Sequence, residues 1–319
     1  GTGRQKGAIR MRTAVLIVAA GMSSRMGDFK PMLNIGSISV AQRIVATFRQ
    51  SGIRPIVMVT GYKAIELEKH LASSEIVFLR NEEYASTEMF DSVKIGLEYI
   101  KDKYDQILFT PVDIPLFTSD TVQKLMDSGS RLACPVHDGQ TGHPILISTQ
   151  LAEKILSDSG EGGLRGALMR CGVPMEEIEV DDGGVLHDAD TPEDYQKLLQ
   201  FHNAGLVRPV VEVSLAREKT FFDSRIAMLL HLVNETGAVR VACQRMQISY
   251  STGWNLIRNL ESQLCLQLIT RNQGGAGGSH SSLTEEGKRL LSRFGEFETR
   301  LQKQANEMYS EYFGDFFDL

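Results

Sequence analysis

Short apolar runs alternate with helical patterns along the first two thirds of the chain. Each run is rich in β-branched residues and stops at small or turn-forming residues, which predicts a buried strand. Between the runs, apolar residues recur at three- and four-residue spacing, which predicts amphipathic helices. This alternation predicts an α/β fold with a doubly wound, mostly parallel sheet. The predicted strands are 14–18, 55–60, 75–79, 106–110, 132–136, 145–148 and 177–180, and the predicted helices lie near 38–51, 62–72, 90–103, 118–128, 150–157, 163–170 and 192–204.

The pattern changes after residues 204–209, which have the composition of a linker. Three helices followed by a strand, a glycine-rich turn and a returning strand predict a winged helix-turn-helix. Thr284 is placed to cap a long last helix that has acidic residues in its first turn. We therefore expect a first domain over 12–204 and a second over 210–319. The predicted elements of the second domain are helices at 222–236, 237–246 and 250–264, a strand at 266–271 and the glycine-rich turn at 274–278.

Composition narrows the class of protein. The chain has 319 residues, of which 42% are hydrophobic and 23% are charged, the balance of an ordinary globular protein. It has no apolar run long enough to span a bilayer, and residues 1–12 lack the apolar core of a signal peptide. The four cysteines are widely spaced without a C-x-x-C pair, which argues against disulfides and zinc. We expect a cytoplasmic protein without a membrane partner.

The distribution of charge favours a polyanion partner for the second domain. The net charge of −6 arises in the first part of the chain. Residues 240–293, in contrast, carry seven basic and three acidic side chains. A local basic excess of this kind suits DNA.

A glycine- and serine-rich loop follows the first predicted strand. Residues 16–31 read LIVAAGMSSRMGDFKP. Small residues allow backbone N–H groups to approach an anion closely, and Arg25 and Lys30 add the positive charge that a triphosphate needs. The loop matches neither G-x-x-x-x-G-K-[ST] nor G-x-G-x-x-G. An ordinary strand-to-helix turn is the alternative, but such a turn has no need of a convergent Arg and Lys.

Acidic residues at two places suggest a site for Mg²⁺, which prefers carboxylate oxygens. Asp113 ends an apolar strand, where a carboxylate is costly unless it binds a ligand or caps a helix. Thr118 and Ser119 are better placed to cap the next helix. Asp188 and Asp190 lie on one face of an extended segment just before a Thr-Pro helix start.

These motifs resemble those of the MobA-like nucleotidyltransferases, and the resemblance covers roughly residues 12–200. The loop opens Ala-Ala-Gly, which is similar to the loop of the cytidylyltransferase branch. In the guanylyltransferase branch the loop usually opens Leu-Ala-Gly-Gly. Residues 188–194, DADTPED, are similar to the family's D-I-D-T-P-E-D motif. The resemblance implies a nucleotide-diphospho-sugar-transferase-like sheet, CTP as substrate, and Mg²⁺ held by Asp113 and Asp190. It assigns the nucleotide to Ala19, Ala20, Gly21, Met22, Ser23, Ser24 and Lys30, and gives Arg25 and Lys30 catalytic roles.

Further motifs resemble the parts of that family around the base and the acceptor. Asn81 and residues 89–92, which include Ser92, resemble the segment that lines the base pocket. Residues 142–144 resemble a G-H-P motif, and residues 160–165 resemble G-D-x-G-A-R with Glu161 in place of Asp. In the cytidylyltransferase branch the acceptor is molybdopterin bearing molybdenum. The implied acceptor-binding residues are Gly142, His143, Pro144, Glu161, Arg165 and Asp188.

The second domain resembles the DNA-binding domain of ModE-like, molybdate-responsive regulators. The similarity runs from residues 222–230 through 248–254 and the glycine-rich wing to residues 283–284. Recognition helices present their N-terminal residues to base edges. A winged helix used for protein contact or dimerisation is the alternative, and Trp254 is expected in the core. The predicted DNA contacts are Ser249, Tyr250, Ser251, Thr252 and Asn255 to bases, and Arg258 and Arg271 to phosphates.

The last helix predicts a homodimer. Its apolar residues fall at alternating four- and three-residue steps, a heptad seam interrupted by one polar residue. The alternative is that this face packs on the winged helix or on the first domain. The seam consists of Leu290, Phe294, Phe297, Leu301, Gln304 and Met308.

Two other functions remain open at this point. One is a pure transcription regulator whose nucleotidyltransferase fold has become a ligand sensor. The retention of Lys30, Asp113 and Asp190 argues against it. The other is a nucleotidyltransferase that acts on a sugar or alcohol phosphate.

Overall fold

A computed structural model describes residues 11–21, 29–35, 38–54, 56–72, 76–186, 209–272 and 280–316. At Lys30, Ile35, Arg271 and Asn272 it describes the backbone alone. The chain divides into two compact units, Gly1–Leu206 and Val207–Leu319. The division falls within the segment whose composition predicts a linker.

The first unit is built on a mixed, mostly parallel sheet. Its strand order is β10-β7-β9-β6-β1-β4-β5, with β8 paired to β7. The β1 run Thr13–Ala19 lies in the middle and pairs in parallel with both β4 and β6. The strands are β1 Thr13–Ala19, β4 Ile56–Thr60, β5 Val77–Arg80, β6 Gln106–Pro111, β7 Leu132–His137, β8 Gln140–Thr141, β9 Ile145–Ser148 and β10 Glu176–Glu179, and a separate small hairpin is formed by β2 Asn34–Ile35 and β3 Ile38–Ser39.

One central strand runs against the others. β9 is antiparallel to both β6 and β7. The short connection from His137 to Ile145 cannot hold the crossover that a parallel pair requires, so the chain turns back through β8. The expectation of a mostly parallel sheet is thus confirmed, with β9 and the short β8 as the exceptions.

Helices cover the sheet, and side-chain caps fix where some of them begin. Ser39 caps α1, with its hydroxyl accepting a hydrogen bond from the Gln42 amide at 3.2 Å. α1 therefore begins at Val40 rather than at the predicted residue 38. Thr118 caps α4, as expected. The helices are α1 Val40–Gln50, α2 Ala64–His70, α3 Met89–Ile100, α4 Ser119–Asp127, α5 Ala152–Leu156 and α6 Gly163–Arg170; the predicted helix 192–204 lies outside the described residues.

Apolar side chains of β1 explain why this strand is central. Val15, Leu16 and Ile17 are completely buried, since both faces of the sheet are covered. α3 lies close to β1, because Gly96 leaves room for Leu16 where any Cβ would clash. The carboxyl ends of β1, β4 and β6 consequently meet at one edge of a rigid sheet.

The second unit contains the predicted winged helix-turn-helix and a hairpin that was not predicted. Residues 220–223 form a strand rather than the first turn of a helix, because Asp223 caps α7 by accepting a hydrogen bond from the Ile226 amide. The recognition helix matches its predicted bounds. The elements are β11 Ser214–Ala216, β12 Thr220–Asp223, α7 Ser224–Thr236, α8 Val239–Arg245, α9 Tyr250–Leu264, β13 Ile269–Asn272, β14 His280–Leu283 and α10 Glu285–Phe313; the glycine-rich turn 274–278 lies outside the described residues.

The long helix α10 is only partly free to form the predicted seam. Thr284 caps it, as expected. Phe294 is 4% exposed and packs edge-to-face on Phe222 with ring centroids 4.7 Å apart. At Phe294, therefore, the alternative that this face packs on the winged helix is the one observed. Farther along, Phe297 and Met308 are 49% and 54% exposed.

Within the described residues, no helix is both long and apolar enough to cross a membrane.

Candidate functional site

A cavity of about 200 Å³ opens at the edge of the sheet where β1 and β6 end. In open sheets of parallel strands, ligands bind at this edge, just outside the carboxyl ends of the strands. The cavity has two walls, one from the ends of β1 and β6 and one from the segment between β5 and α3. Its lining consists of Val18, Ala19, Ala20, Gly21, Pro31, Asn81, Tyr84, Thr87, Glu88, Met89, Ser92, Pro111, Val112 and Asp113.

The start of the predicted phosphate loop lies in this cavity. Ala19 and Ala20 are buried, and the Ala20 carbonyl accepts a hydrogen bond from the Tyr62 amide at 3.2 Å. Gly21 is exposed, with nothing within 4 Å of the position of a Cβ atom. The loop thus leaves the sheet at a fixed point. The rest of it, including Met22, Ser23, Ser24 and Arg25, lies outside the described residues, as does the side chain of Lys30.

Asp113 lies in the same wall of the cavity, beside the start of the loop. The last residue of β6, Pro111, pairs with Val18, and the Val112 amide donates to the Val18 carbonyl at 3.0 Å. Asp113 follows directly and is half-buried. The structure therefore brings together the beginning of the loop and one of the two predicted metal-binding carboxylates.

Glu88 also lines the cavity, but of the two carboxylates predicted to bind the metal the structure describes only Asp113. Its carboxylate is the hard oxygen ligand that Mg²⁺ prefers, and its position in the cavity fits that role. Asp188 and Asp190 lie outside the described residues. Among the residues that are described, no three His, Cys, Asp or Glu side chains are grouped as a metal site.

Asn81 and Ser92 lie together in the second wall, as the motifs suggested, but their polar groups bond to each other. The Asn81 amide nitrogen donates to Ser92 Oγ at 3.0 Å and to Thr87 Oγ1 at 2.8 Å. Its oxygen accepts from the Glu83 amide. Asn81 is 4% exposed, so its role within the protein is to shape the segment 81–88 that borders the cavity.

On the acceptor side, the Gly142–Pro144 motif directly precedes β9. The first paired residue of β9, Ile145, lies opposite Phe109 of β6. The motif before it therefore lies beside the carboxyl end of β6. The His143 ring packs edge-to-face on Phe109 with centroids 6.0 Å apart, and its amide donates to the Val185 carbonyl at 3.0 Å. Burial lowers the pKa of His143 to about 4, so the imidazole is neutral at pH 7.

The loop that holds Glu161 lies near the start of α3. An ideal Cβ atom built on Gly160 would lie 3.7 Å from the Phe90 ring. Phe90 directly follows Met89, which lines the cavity. Arg170 fixes the loop by donating to both carboxylate oxygens of Asp158, and this pair lowers the pKa of Asp158 to about 2. Glu161 and Arg165 are exposed.

Sequence reasoning missed several residues that shape the site. Tyr84 lines the cavity, and its Cβ would be 2.6 Å from any side chain placed at Gly61. Tyr62 bridges Phe29 and Tyr84, with ring centroids 5.7 and 6.1 Å away. Only the Gly-Tyr pair directly after a buried strand could have signalled this cluster.

The predicted DNA-reading face is the start of α9. Ser249 caps the helix, accepting from the Thr252 amide at 3.1 Å, so this hydroxyl is engaged within the protein. Tyr250 is 44% exposed and is flanked by Trp254 and by the Arg240 guanidinium, 4.9 Å from its ring centroid. Trp254 is buried in the core, as expected. Ser251, Thr252, Asn255 and Arg258 are exposed, whereas the Arg271 side chain lies outside the description.

Comparisons of the first unit with known proteins agree on a nucleotidyltransferase. A protein from Escherichia coli (strain K12) named molybdenum cofactor cytidylyltransferase is 31% identical over 184 residues, which cover 56% of this chain and 92% of that protein. The bifunctional protein GlmU from Francisella philomiragia subsp. philomiragia is 30% identical over 122 residues, 38% of this chain and 26% of its own length.

Solved structures share the fold. Rv0371c from Mycobacterium tuberculosis H37Rv has a TM-score of 0.51 and 24% identity, covering 60% of this chain and 98% of its own. The nucleotidyl transferase Mth528 from Methanothermobacter thermautotroptrophicus has a TM-score of 0.53 and 20% identity, covering 61% and 99%. At these identities the likeness concerns the fold alone.

The family profiles match both halves of the chain. Residues 227–288 match the bacterial regulatory helix-turn-helix proteins of the lysR family, which confirms a helix-turn-helix DNA-binding domain. The narrower ModE-like likeness stays a prediction. Residues 15–175 match the MobA-like NTP transferase domain. The chain belongs to the MobA-like NTP transferase family and carries, after that domain, a helix-turn-helix of the lysR type.

Proposed function

We propose that the first domain transfers CMP from CTP to a molybdopterin-type molybdenum cofactor, with release of pyrophosphate. One observation carries the proposal: Ala19, Ala20 and Gly21 share a single cavity with Asp113, at the ends of adjacent strands. The name of the Escherichia coli relative, which is similar over 92% of its length, supports the choice of acceptor. The Ala-Ala-Gly opening supports the choice of CTP.

The proposed reaction is an in-line displacement at phosphorus. A phosphate oxygen of the acceptor attacks the α-phosphorus of CTP, and the bond from that phosphorus to the oxygen bridging to the β-phosphate breaks. Pyrophosphate takes the electron pair and leaves. Since the attacking oxygen is already an anion, no general base is needed, and positioning and charge neutralisation contribute most of the catalysis.

In this proposal the chain's own charged residues divide the work. Arg25 and Lys30 bind the triphosphate, and Asp113 and Asp190 are the residues that would hold Mg²⁺. When bound, the ion supplies neutralisation of the phosphate charge. His143, which is neutral, offers the acceptor a hydrogen bond without adding charge, beside Gly142, Pro144, Glu161, Arg165 and Asp188.

Pyrophosphate release tests this assignment. The full chain is supplied with Mg²⁺ and each of the four common NTPs, with and without molybdopterin bearing molybdenum. We expect release with CTP, more slowly with GTP, and only when the acceptor is present. Faster release with GTP would contradict the cytidylyltransferase assignment, and release that depends instead on a sugar or alcohol phosphate would replace the acceptor.

We also infer that the second domain binds DNA as a transcription regulator. The exposed Tyr250, Ser251, Thr252 and Asn255 at the start of α9, with Arg258 one turn further along, support a recognition helix in the major groove. The resemblance to ModE-like regulators extends the proposal to genes that respond to molybdenum. A mobility shift with DNA from the protein's own promoter region, repeated across salt concentrations, tests it; the affinity should fall steeply with salt. A shift that is absent at low salt would count against the regulator role.

A further inference from the structure

We propose that Asp182 is a positioning residue that fixes the loop bearing Asp113 and sets its distance from the His143 peptide. The inference rests on the proposed function, since it assigns a role to a residue outside the cavity through one inside it. Asp182 was not singled out by any motif. Its surroundings, however, are unusual for a residue in a Gly-rich turn.

The Asp182 carboxylate is almost completely buried and fully hydrogen-bonded. It is 6% exposed. Its Oδ2 atom accepts from the Thr118 amide at 2.8 Å, from Thr118 Oγ1 at 3.1 Å and from Thr121 Oγ1 at 2.6 Å. Its Oδ1 atom accepts from the Gly184 amide at 3.0 Å. Four donors converge on one side chain, an arrangement that an ionised carboxylate satisfies and that an amide cannot, because the amide nitrogen has no acceptor.

These bonds are not needed to start α4. Thr118 is already the cap of that helix, and its hydroxyl accepts from the Thr121 amide. The Asp182 carboxylate, which accepts from the Thr118 amide and hydroxyl, therefore ties the helix start to another part of the chain. That part is the turn 180–186, which is itself held to β7 by the hydrogen bond from the Val180 amide to the Val136 carbonyl.

The loop that is tied in this way is short and carries Asp113. It begins at Val112, bonded to β1, and ends at Thr118, bonded to Asp182. Between these points Leu116 and Phe117 are buried in the core. The Leu116 carbonyl lies so close to Gly184 that a Cβ there would be 2.0 Å away. Both ends of the loop are therefore fixed, the first by the hydrogen bond to β1 and the second by the hydrogen bonds to Asp182.

The same turn also contacts the acceptor side. The Val185 carbonyl, three residues after Asp182, accepts from the His143 amide, and a Cβ at Gly142 would be 2.3 Å from that carbonyl. The turn thus touches the Asp113 loop through Asp182 and Gly184, and touches the Gly142–Pro144 motif through Val185. Loosening Asp182 should let the carboxylate of Asp113 drift relative to both the nucleotide loop and the His143 peptide.

Four variants of the full chain separate positioning from general stability. Asp182→Asn removes the carboxylate at nearly constant volume, and Thr121→Val removes one of its four bonds. Asp105→Asn is the matched control: it breaks the bonds from Arg12 to another carboxylate, at the amino end of the same strand β6 and away from the cavity. Thr121→Ser keeps the hydroxyl and should behave as the wild type.

Two readouts are used, Mn²⁺ affinity in the presence of CTP, measured by electron paramagnetic resonance, and amide hydrogen exchange of residues 112–121. Asp182→Asn should weaken Mn²⁺ binding by about tenfold or more, the range typical of lost outer-shell support. Thr121→Val should have a smaller effect in the same direction. Both should speed exchange at 112–118, and Asp105→Asn should change neither readout.

Unchanged exchange at 112–118 together with wild-type Mn²⁺ affinity in Asp182→Asn would overturn the inference. Equal losses of affinity in Asp182→Asn and Asp105→Asn would also overturn it, because the effect would then be one of general stability. Failure of the proposed function looks different: the wild type itself would bind no Mn²⁺ with CTP and release no pyrophosphate. Hydrogen exchange would still decide whether Asp182 fixes the loop.

Discussion

Asp113 is the residue on which the proposed chemistry depends most. It follows β6 directly and lines the cavity, and the next helix is capped by Thr118. We predict that Asp113→Asn abolishes turnover, lowering the rate of pyrophosphate release by about 100-fold or more because the negative charge toward Mg²⁺ is lost. Asp190→Asn should have the same effect.

The fold should survive both substitutions, which keep the volume of the side chain. Circular dichroism spectra that match the wild type would show this. Pyrophosphate release near the wild-type rate from either variant, at ordinary Mg²⁺ concentration, would remove that residue from the metal site.

His143 provides a prediction about pH. Burial lowers its pKa from 6.5 to about 4 in the folded protein. Between these values the unfolded chain takes up a proton that the folded one does not, so the stabilisation is complete above pH 6.5 and is lost as the pH falls through 4. The contribution is at most about 3 kcal/mol.

Nuclear magnetic resonance of the histidine ring protons checks this directly. The His143 signal, assigned as the one missing in His143→Gln, should not titrate between pH 8 and pH 5.5, while exposed histidines do. A midpoint near 6.5 would mean that the ring is solvated and carries a charge in part of the physiological range.

Among single residues, the sequence predicted those whose charge is unexpected at their position in the chain. Asp113 could be found because a carboxylate at the end of an apolar strand needs a reason. The Asn81–Ser92 hydrogen bond could not be found, since the two residues are brought together by the path of the chain between β5 and α3. Asp182 was missed because an Asp beside glycines usually indicates an ordinary turn.

Among the elements, the contact between α8 and α9 gives a sharp prediction. A Cβ at Gly253 would lie 2.3 Å from the Sγ of Cys243, which is buried and has a single torsion with which to move. We predict that Gly253→Ala destabilises the second unit by about 1–3 kcal/mol and weakens DNA binding, because the recognition helix is pushed outward.

Gly295→Ala in α10 is the control. Nothing lies within 4 Å of a Cβ at that position. The substitution should stabilise the helix by up to about 1 kcal/mol through propensity alone. Urea unfolding followed by Trp254 fluorescence, which reports on the second unit, checks both. If the two substitutions changed the free energy of unfolding equally, Gly253 would not be a point of close approach between α8 and α9.

The spacing of apolar residues predicted which segments are strands and which are helices. It did not predict the direction in which each strand runs in the sheet. The seven predicted strands of the first unit are all present, because buried runs between turn residues leave few other options. The reversal of β9 depended on the length of one connection. The β11–β12 hairpin was missed, since an Asp cap at 223 converts what looked like a helical start into a strand end.

For the whole molecule, we predict a homodimer formed through the part of α10 that follows Phe294. Phe294 is used within its own unit, but Phe297, Met308 and Tyr312 remain exposed by 49, 54 and 67%. Exposed apolar side chains along one helix favour a second copy, which would also place two recognition helices about one turn of DNA apart.

Sedimentation of the full chain at micromolar concentration measures this. The wild type should sediment as a dimer, and Met308→Lys should shift it toward the monomer. The neighbouring Glu307→Lys, which lies off the predicted seam, should not. A monomeric wild type would remove the dimer from the account, and the alternative that α10 packs elsewhere would take its place.

Two-unit organisation was predictable from the change of pattern near 204–209, and the comparisons support a different family on each side of it. The finer identity of the second family was not predictable, because winged helices share the same pattern of apolar positions. The acceptor could not be predicted from the sequence either, because one of its two described motifs lies on an exposed loop whose shape is set by glycines at 160, 162 and 163 with positive φ.

The most direct test of the central claim follows the α-phosphate. The full chain is incubated with Mg²⁺, molybdopterin bearing molybdenum, and CTP radiolabelled at either the α- or the γ-phosphate. We predict that the α-label becomes attached to the acceptor while the γ-label appears in pyrophosphate, and that Asp113→Asn stops both. Recovery of the α-label only as free CMP or unreacted CTP, with or without the acceptor, would contradict it.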